Sequence, residues 1–243
     1  MHTNTIEPLA WDSDFLGFGV GRVSLESPAA GLLETLLIQA RHAGLRLLYL
    51  TVSPGDLAGN AAALEAGATL VDRKTTFAMP VSVAEARAAL PATIHSVSVP
   101  VPGLAQLALQ SGEYSRFRLD SNFAPGTYER LYRQWLRNSL ARTLAREVVV
   151  YQTAPPAPAL GLLTLGVKPN RADIGLLAVA AGSRRLGVGR QLVAAARQLT
   201  AAWGLPALQV VTQLDNQPAC AFYLRMGFAV QQVEHIYHLW LTP

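Results

Sequence analysis

The stretch Arg184-Arg185-Leu186-Gly187-Val188-Gly189, followed by Arg190, combines the residue types that bind phosphate groups. An apolar run, IGLLAVA, precedes it and an amphipathic run follows it, so we expect a strand to end and a helix to begin there. The first N–H groups of a helix lack partners within the helix, and the helix dipole adds partial positive charge. Such a junction suits a pyrophosphate. It is neither a P-loop nor a Gly-x-Gly-x-x-Gly fingerprint, and a structural turn explains it about equally well.

The residues around this junction are predicted to form alternating strands and helices. Strands are predicted in EVVVYQT, ALGLLTLGV, ADIGLLAVA and ALQVVTQ, and FAVQQVEHIYHLWL is predicted to form two strands or a hairpin. Helices are predicted in PGLAQLALQSG, in PGTYERLYRQWLRNSLA, from Gly187 to Trp203 and in QPACAFYLRMG. Helices inserted between strands indicate an α/β fold with a mixed sheet.

The order helix, strand, short helix, glycine, strand occurs twice in the chain. Aligning Gly67 with Gly227 places Ala63 on Tyr223, and the two segments have similar lengths. We interpret this as an internal duplication, although two similar segments could also arise independently. The first copy has no Arg-x-x-Gly-x-Gly and no tyrosine at the place of Tyr223, so only the second copy is expected to be active if the motif carries chemistry. The predicted domains are residues 1–91 and 92–243.

Composition excludes several classes of protein. Of the 243 residues, 51% are hydrophobic and 15% are charged, which is typical of a globular protein. Cys220 is the single cysteine, so neither a disulfide framework nor a cysteine-rich zinc site is expected. His235 and His238 should point to opposite faces of a strand, and no metal site is predicted. A net charge of +4 without a basic stripe argues against nucleic acid, and no secretory signal or membrane-spanning run is recognised. We therefore expect a cytoplasmic protein without a membrane partner.

From about Thr93 to the C-terminus the chain resembles the GCN5-related N-acetyltransferase (GNAT) superfamily. The matching features are the strand IGLLAVA, the Arg-x-x-Gly-x-Gly loop, and Asn216 and Tyr223 in DNQPACAFYLRMGF. The resemblance implies a mixed, mostly antiparallel sheet flanked by helices, preceded here by a smaller, partial GNAT-like α/β domain. It also implies that the loop amides bind the pyrophosphate of acetyl-coenzyme A, while the pantetheine arm lies between strands 173–179 and 207–213, which splay apart. The residues expected to bind acetyl-coenzyme A are Leu177, Ala178, Val179, Arg184, Arg185, Leu186, Gly187, Val188, Gly189, Arg190 and Asn216.

The resemblance gives Tyr223 the role of the acid that protonates the departing thiolate, as an alternative to a core aromatic residue. A backbone N–H of residues 177–179 can polarise the thioester carbonyl. Asn216 is either a contact to the coenzyme or a plain helix N-cap, and Cys220 is expected to be a packing residue. The base is left open. Asp173, Glu129 and Glu147 are candidates by acidity alone, and a proton relayed through water is equally compatible with the sequence.

The acceptor amine is predicted from the segment GEYSRFRLDSNFAPGTYERLYRQWLRNSL. Its residues Arg116, Phe117, Arg118, Asn122 and Phe123 combine forked cations, aromatic rings and an amide, which could hold an anionic, ring-bearing acceptor. Solvated arginines and a hydrophobic core stripe are the alternatives. This segment, together with IEPLAWDSDFLG and ADIGLLAV, is similar to the dTDP-fucosamine acetyltransferases. That similarity implies acetylation of the 4-amino group of dTDP-4-amino-4,6-dideoxy-D-galactose for surface polysaccharides such as enterobacterial common antigen.

Other functions stay open beside this one. Another amine, such as a protein N-terminus or an aminoglycoside, would make the chain a different acetyltransferase. A regulatory module that binds acyl-coenzyme A without turnover is the alternative from another class. Neither the sugar epimer nor the formation of a homodimer is decided by the sequence.

Overall fold

The computed structural model describes residues 4–87, 90–154 and 156–241. The strands are β1 (Glu7–Pro8), β2 (Gly19–Leu25), β3 (Leu45–Val52), β4 (Thr69–Pro80), β5 (Ile94–Ser96), β6 (Glu147–Tyr151), β7 (Gly161–Lys168), β8 (Arg171–Val179), β9 (Ala207–Gln213) and β10 (Ala229–Trp240). The α-helices are α1 (Ala10–Leu16), α2 (Leu32–His42), α3 (Leu57–Glu65), α4 (Leu104–Ser111), α5 (Arg116–Leu119), α6 (Thr127–Leu140), α7 (Val188–Ala202) and α8 (Gln217–Arg225). Two short 3-10 helices are Val83–Arg87 and Ala181–Ser183.

Contacts divide the chain into two compact units. The first unit consists of the described residues of Met1–Thr75, Gln213–Asp215 and Gln232–Pro243, and the second unit of those of Thr76–Thr212 and Asn216–Gln231. Strands β4 and β10 therefore each give residues to both units. These bounds differ from the predicted domains, residues 1–91 and 92–243, and the role of those domains as two GNAT-like copies stays a prediction.

The second unit is built on a mixed sheet, as predicted. Strands β5, β6, β7 and β8 form successive antiparallel pairs, and β8 is parallel to β9. Helix α7 packs its apolar face, including the fully buried Leu192, Val193 and Ala196, into the core of this unit. The periodic apolar positions of α7 thus explain why a helix forms after the glycine loop and which face turns inward.

The first unit has its own core. Strand β2 is parallel to β3, and β10 is antiparallel to β3 with His235 opposite Val52 and Trp240 opposite Leu47. Leu48 and Leu50 of β3 are fully buried beside Leu36 and Ala40 of α2. The prediction of two strands or a hairpin at the C-terminus is wrong, because Ala229–Trp240 is a single strand of 12 residues. No turn residue interrupts it, so the strand continues.

The two repeated segments have matching element bounds. Aligned on Gly67 and Gly227, helix Leu57–Glu65 coincides with Gln217–Arg225, and strand Thr69–Pro80 coincides with Ala229–Trp240. Both glycines have positive φ, 83° and 90°, a conformation that favours glycine. We call Leu32–Pro80 the first copy and Val188–Trp240 the second copy.

Candidate functional site

The glycine loop forms the turn that the sequence predicts between β8 and α7. Gly187 is the N-cap of α7, with φ 83° in the left-handed region, and Arg185 also has a positive φ, 65°. No atom lies within 4 Å of a Cβ added to Gly187, so its requirement for glycine is conformational. The turn places the N–H groups of the first turn of α7, a helix of 15 residues, next to the loop.

Gly189 meets a different requirement. A Cβ added there would lie 3.2 Å from Cζ of Phe222, on α8, and 3.7 Å from Cγ2 of Val179, on β8. The absence of a side chain therefore lets the first turn of α7 approach both α8 and β8. Gly187 is needed for the turn, and Gly189 for close packing at the cavity.

Strands β8 and β9 separate beside this loop. Their parallel register runs from Ala172 opposite Leu208 to Ile174 opposite Val210, although β8 continues to Val179. The separation follows an irregularity in β8. Leu163 pairs with Leu177 but Leu165 pairs with Ile174, so β8 carries one extra residue there. Such a bulge bends its strand, and Oγ1 of Thr164 holds it by accepting a hydrogen bond of 2.8 Å from the Leu176 N–H.

At the end of β8, backbone groups face the gap that opens where β8 and β9 separate. The Ala180 N–H donates to the Leu160 carbonyl at 2.9 Å, so the antiparallel alternation turns the N–H and carbonyl of Leu177 and Val179 away from β7. These groups face the side where pairing with β9 has ended. Of the three predicted amides at 177–179, the geometry therefore favours Leu177 and Val179 as donors to a ligand.

A cavity of about 1150 Å³ lies at this gap in the second unit. It is lined by eleven residues that the sequence predicts to be functional: Leu177, Ala178, Val179, Arg184, Arg185, Gly187, Val188, Gly189, Arg190, Asn216 and Tyr223. Leu186 is not among the lining residues, and 71% of its surface is exposed. The structure thus brings the predicted coenzyme residues together, with that exception.

Tyr223 is buried at the cavity, with 5% of its surface exposed. Its ring centroid lies 5.8 Å from that of Phe77, 5.4 Å from that of Phe222 and 5.6 Å from that of Phe228. Burial in this apolar setting, with a smaller contribution from Cys220, raises the pKa of Tyr223 well above its usual value. The phenol therefore stays protonated at neutral pH, as an exposed tyrosine does.

Asn216 forms the N-cap of α8. Its Oδ1 accepts a hydrogen bond from the Ala219 N–H at 3.3 Å, and the residue also lines the cavity. The capping role is therefore present in the structure, and contact of Asn216 with a coenzyme stays a prediction. Cys220 follows in the same helix and packs against the core of the second unit, as expected.

Residues 110–114 form a side of the cavity, and none of them was given an individual role from the sequence. We call this segment the wall segment, and its lining residues are Gln110, Ser111, Glu113 and Tyr114. Tyr132 lies directly beneath Gly112, where any Cβ would overlap its ring. No local pattern marks these residues, because polar side chains after a helix usually face solvent. The Ser-Gly pair that ends α4 was the single available signal.

The predicted acceptor residues require a correction. None of Arg116, Phe117, Arg118, Asn122 and Phe123 lines the cavity. Phe117 and Phe123 are each 8% exposed, with ring centroids 5.2 Å apart, so they pack in the core and present no face to a ligand. The apolar rings alternate with polar residues, and the hydrophobic-core alternative is the one realised. Acceptor binding by Arg116, Arg118 and Asn122 stays a prediction.

The three predicted base candidates do not line the cavity either. Asp173 accepts a hydrogen bond from Nε2 of Gln209 at 2.8 Å and pairs with Nζ of Lys168 at 2.9 Å. Glu147 pairs with Arg142 at 3.0 Å. The carboxylate that lines the cavity is that of Glu113, beside four arginines, Arg184, Arg185, Arg190 and Arg225.

The described residues hold no cluster of three or more His, Cys, Asp or Glu side chains able to bind a metal. His235 contacts Oδ1 of Asn60 at 2.7 Å, while His238 stacks on Tyr49 with ring centroids 5.0 Å apart. Among the same residues, no helix has the length and apolar character needed to cross a membrane.

Comparison with known sequences identifies relatives of this arrangement. Residues 115–228 match the family described as Acetyltransferase (GNAT) family. A curated relative, the dTDP-fucosamine acetyltransferase of Escherichia coli O6:H1 (strain CFT073), is 28% identical over 232 residues, covering 95% of this chain and 96% of its own.

Solved structures share the fold at lower identity. A GCN5-related N-acetyltransferase from Sphaerobacter thermophilus has a TM-score of 0.62 and 15% identity, covering 98% of this chain and 76% of its own. A tandem GNAT protein from the clavulanic acid biosynthesis pathway has a TM-score of 0.54 and 16% identity, with coverages of 92% and 76%.

Proposed function

Because residues 115–228 match the acetyltransferase (GNAT) family, we propose that this chain is an N-acetyltransferase that acts on the amino group of a dTDP-amino sugar. The acceptor is a dTDP-4-amino-4,6-dideoxyhexose, and the galacto sugar, dTDP-fucosamine, is the first choice. The observation that carries this proposal is the 28% identity to a dTDP-fucosamine acetyltransferase over 95% of the chain. Synthesis of a surface polysaccharide would be the corresponding pathway.

Acetyl-coenzyme A fits the cavity as the acetyl donor. The pyrophosphate would lie at the N-terminus of α7, where N–H groups, the helix dipole and Arg184, Arg185 and Arg190 attract negative charge. The arm of the coenzyme would extend between β8 and β9, along the backbone groups of Leu177 and Val179.

The chemistry requires few side chains. Acetyl-coenzyme A supplies the thioester, and the acceptor amine attacks its carbonyl directly. The N–H of Leu177 or Val179 stabilises the negative charge that develops on the carbonyl oxygen. Tyr223 donates its proton to the departing sulfur, and burial keeps this phenol protonated beforehand. The amine must lose a proton, and Glu113 is the carboxylate placed to accept it, directly or through water.

The acceptor would contact the wall segment. Tyr114 supplies an aromatic ring at the cavity, a role that the buried Phe117 and Phe123 cannot perform.

The test incubates the protein with acetyl-coenzyme A and either dTDP-4-amino-4,6-dideoxygalactose or its gluco epimer, followed by mass spectrometry. The galacto sugar is expected to gain one acetyl group faster than the gluco sugar. Samples without protein and samples with the Tyr223→Phe variant serve as controls. Coenzyme binding without product from either sugar would discard the nucleotide-sugar acceptor.

The same experiment separates the alternatives. An aminoglycoside and a peptide with a free N-terminus are included as further acceptors, and product from either would identify a different acetyltransferase. A non-catalytic module would bind the coenzyme, acetylate none of these amines and be unaffected by Tyr223→Phe.

A further inference from the structure

The side chain of Gln110 reaches from the end of α4 to the end of β8. Its Nε2 donates a hydrogen bond of 2.7 Å to the carbonyl oxygen of Val179. Nε of Arg184, in the glycine loop, donates to the same oxygen at 3.3 Å. A backbone carbonyl has two lone pairs, so these two donors fill its capacity. The carbonyl oxygen of Val179 in β8 therefore accepts hydrogen bonds from both the wall segment and the glycine loop.

This oxygen belongs to the strand edge on which a coenzyme arm would lie. Val179 lies beyond the last residues of β8 that pair with β9, and its backbone groups face the gap. An extended ligand that carries amide groups binds such an edge as an added strand would, through backbone N–H and carbonyl groups. A ligand N–H that bonds to Val179 must then displace one of the two donors already present, either Gln110 at 2.7 Å or Arg184 at 3.3 Å.

We propose that Gln110 is a positioning residue that links the two sides of the cavity, because the amide of the coenzyme arm competes with it for the Val179 carbonyl. Coenzyme binding then breaks this one hydrogen bond between the wall segment and β8, so the Gln110 side chain changes its contacts when the coenzyme arrives. Such a link is a coupling between two binding sites. This inference rests on the proposed coenzyme site and does not depend on which amine is the acceptor.

The rest of the wall segment is held independently of Gln110. The Tyr128 hydroxyl donates to the Leu109 carbonyl, and Nη1 of Arg118 donates to the Glu113 carbonyl at 3.1 Å. The Ser115 N–H donates to the Gly112 carbonyl at 2.8 Å. Loss of the Gln110 contact should therefore leave the protein folded.

The test is a calorimetric titration of coenzyme A into the wild type and the Gln110→Met variant. Methionine has a similar length and no N–H donor, so the competition is removed with little change in volume. The matched control is Gln106→Met, since Gln106 is an exposed residue of the same helix. Removing one competing hydrogen bond should tighten coenzyme binding by about two- to tenfold in Gln110→Met. The Gln106→Met variant should match the wild type.

Weaker or unchanged binding in Gln110→Met would overturn the proposal, because loss of a purely structural contact does not tighten a ligand. Hydrogen exchange of residues 104–114 gives a second readout. Coenzyme A should accelerate exchange in the wild type, whereas Gln110→Met should exchange fast with or without coenzyme. If coenzyme A binds but no amino sugar is acetylated, the acceptor is wrong and the Gln110 test still stands. If the wild type does not bind coenzyme A at all, the proposed coenzyme site fails as well.

Discussion

The two copies within this chain share their folding signals but differ in the residues that carry chemistry. Asp56 and Asn216 occupy the same place, and each caps its helix by accepting a backbone N–H, from Gly59 and from Ala219. At the place of Tyr223 the first copy has Ala63, which is fully buried. The caps are therefore needed by the architecture, whereas a phenol at this place is not.

A second difference lies at the place of Cys220. The first copy has Asn60 there, whose Oδ1 accepts a hydrogen bond of 2.7 Å from the Tyr237 hydroxyl and lies 2.7 Å from Nδ1 of His235. Nδ2 of Asn60 donates to the Ser53 carbonyl at 2.9 Å. This side chain is committed to internal hydrogen bonds, so the first copy uses its helix for structure where the second copy lines a cavity.

The largest effect is expected from Gly189→Glu. A side chain here would collide with Phe222, and its carboxylate would repel the pyrophosphate, so coenzyme A affinity should fall by about 100-fold or more. Calorimetry measures the loss. Gly55→Glu in the first unit is the control, since no atom lies within 4 Å of its added Cβ. Coenzyme binding that survives Gly189→Glu would remove the glycine loop from the proposed site.

The next effect concerns turnover. Tyr223→Phe should lower kcat by about 100-fold, because the thiolate loses its proton donor, while the coenzyme Kd stays within about twofold. Steady-state kinetics and calorimetry separate the two quantities. The matched control is Tyr237→Phe in the first unit, which loses a hydrogen bond to Asn60 and should keep its kcat. Equal kcat values for the two variants would end the assignment of Tyr223 as the acid.

A smaller effect concerns the N-cap of α8. Asn216→Ala should cost about 1 kcal/mol of stability, because the Ala219 N–H loses its acceptor, while Asn216→Ser should retain the cap. Thermal unfolding gives the stability, and calorimetry gives the coenzyme Kd. If Asn216 only caps the helix, the coenzyme Kd of both variants follows the wild type. A weaker Kd for Asn216→Ser at unchanged stability would assign the residue a coenzyme contact as well.

The smallest expected effect is a difference in the pH dependence of stability between the two N-caps, Asp56 and Asn216. Hydrogen bonds from the N–H groups of Gly59 and Ser27 lower the pKa of Asp56 below its usual value. The stability that this adds is present above the unfolded pKa and is lost as the pH falls through the folded pKa, below about pH 4. Asp56→Asn should therefore reduce the loss of melting temperature between pH 7 and pH 3. An identical loss in variant and wild type would show that Asp56 does not contribute to acid sensitivity.

Local sequence patterns were sufficient for the elements that carry the coenzyme side of the site. The turn at Gly187, helix α7 and helix α8 follow from caps, glycines and apolar periodicity, which act over a few residues. The separation of β8 and β9 was predicted in a different way, from the resemblance to the GNAT family.

The residues on the acceptor side of the cavity could not be predicted from local sequence patterns. Phe117 was predicted to bind the acceptor, but its ring packs against Phe123 of the following loop and Trp135 of α6. Gln110 acts through a hydrogen bond to Val179, 69 residues away in the chain. The bulge of β8 likewise depends on Thr164 of the neighbouring strand. These features arise from tertiary contacts that no short pattern encodes.

The division of β4 has a consequence for any attempt to separate the catalytic part of the chain. Phe77, which is 1% exposed and packs beside Tyr223, comes from a strand that lies before the residues matching the family. A fragment of residues 92–243 would therefore lack part of the apolar enclosure around its own phenol. Water would enter, and Tyr223 would lose one of the ring contacts that hold its phenol in place. Gene fission at the apparent domain boundary would thus impair catalysis without deleting a single reactive group.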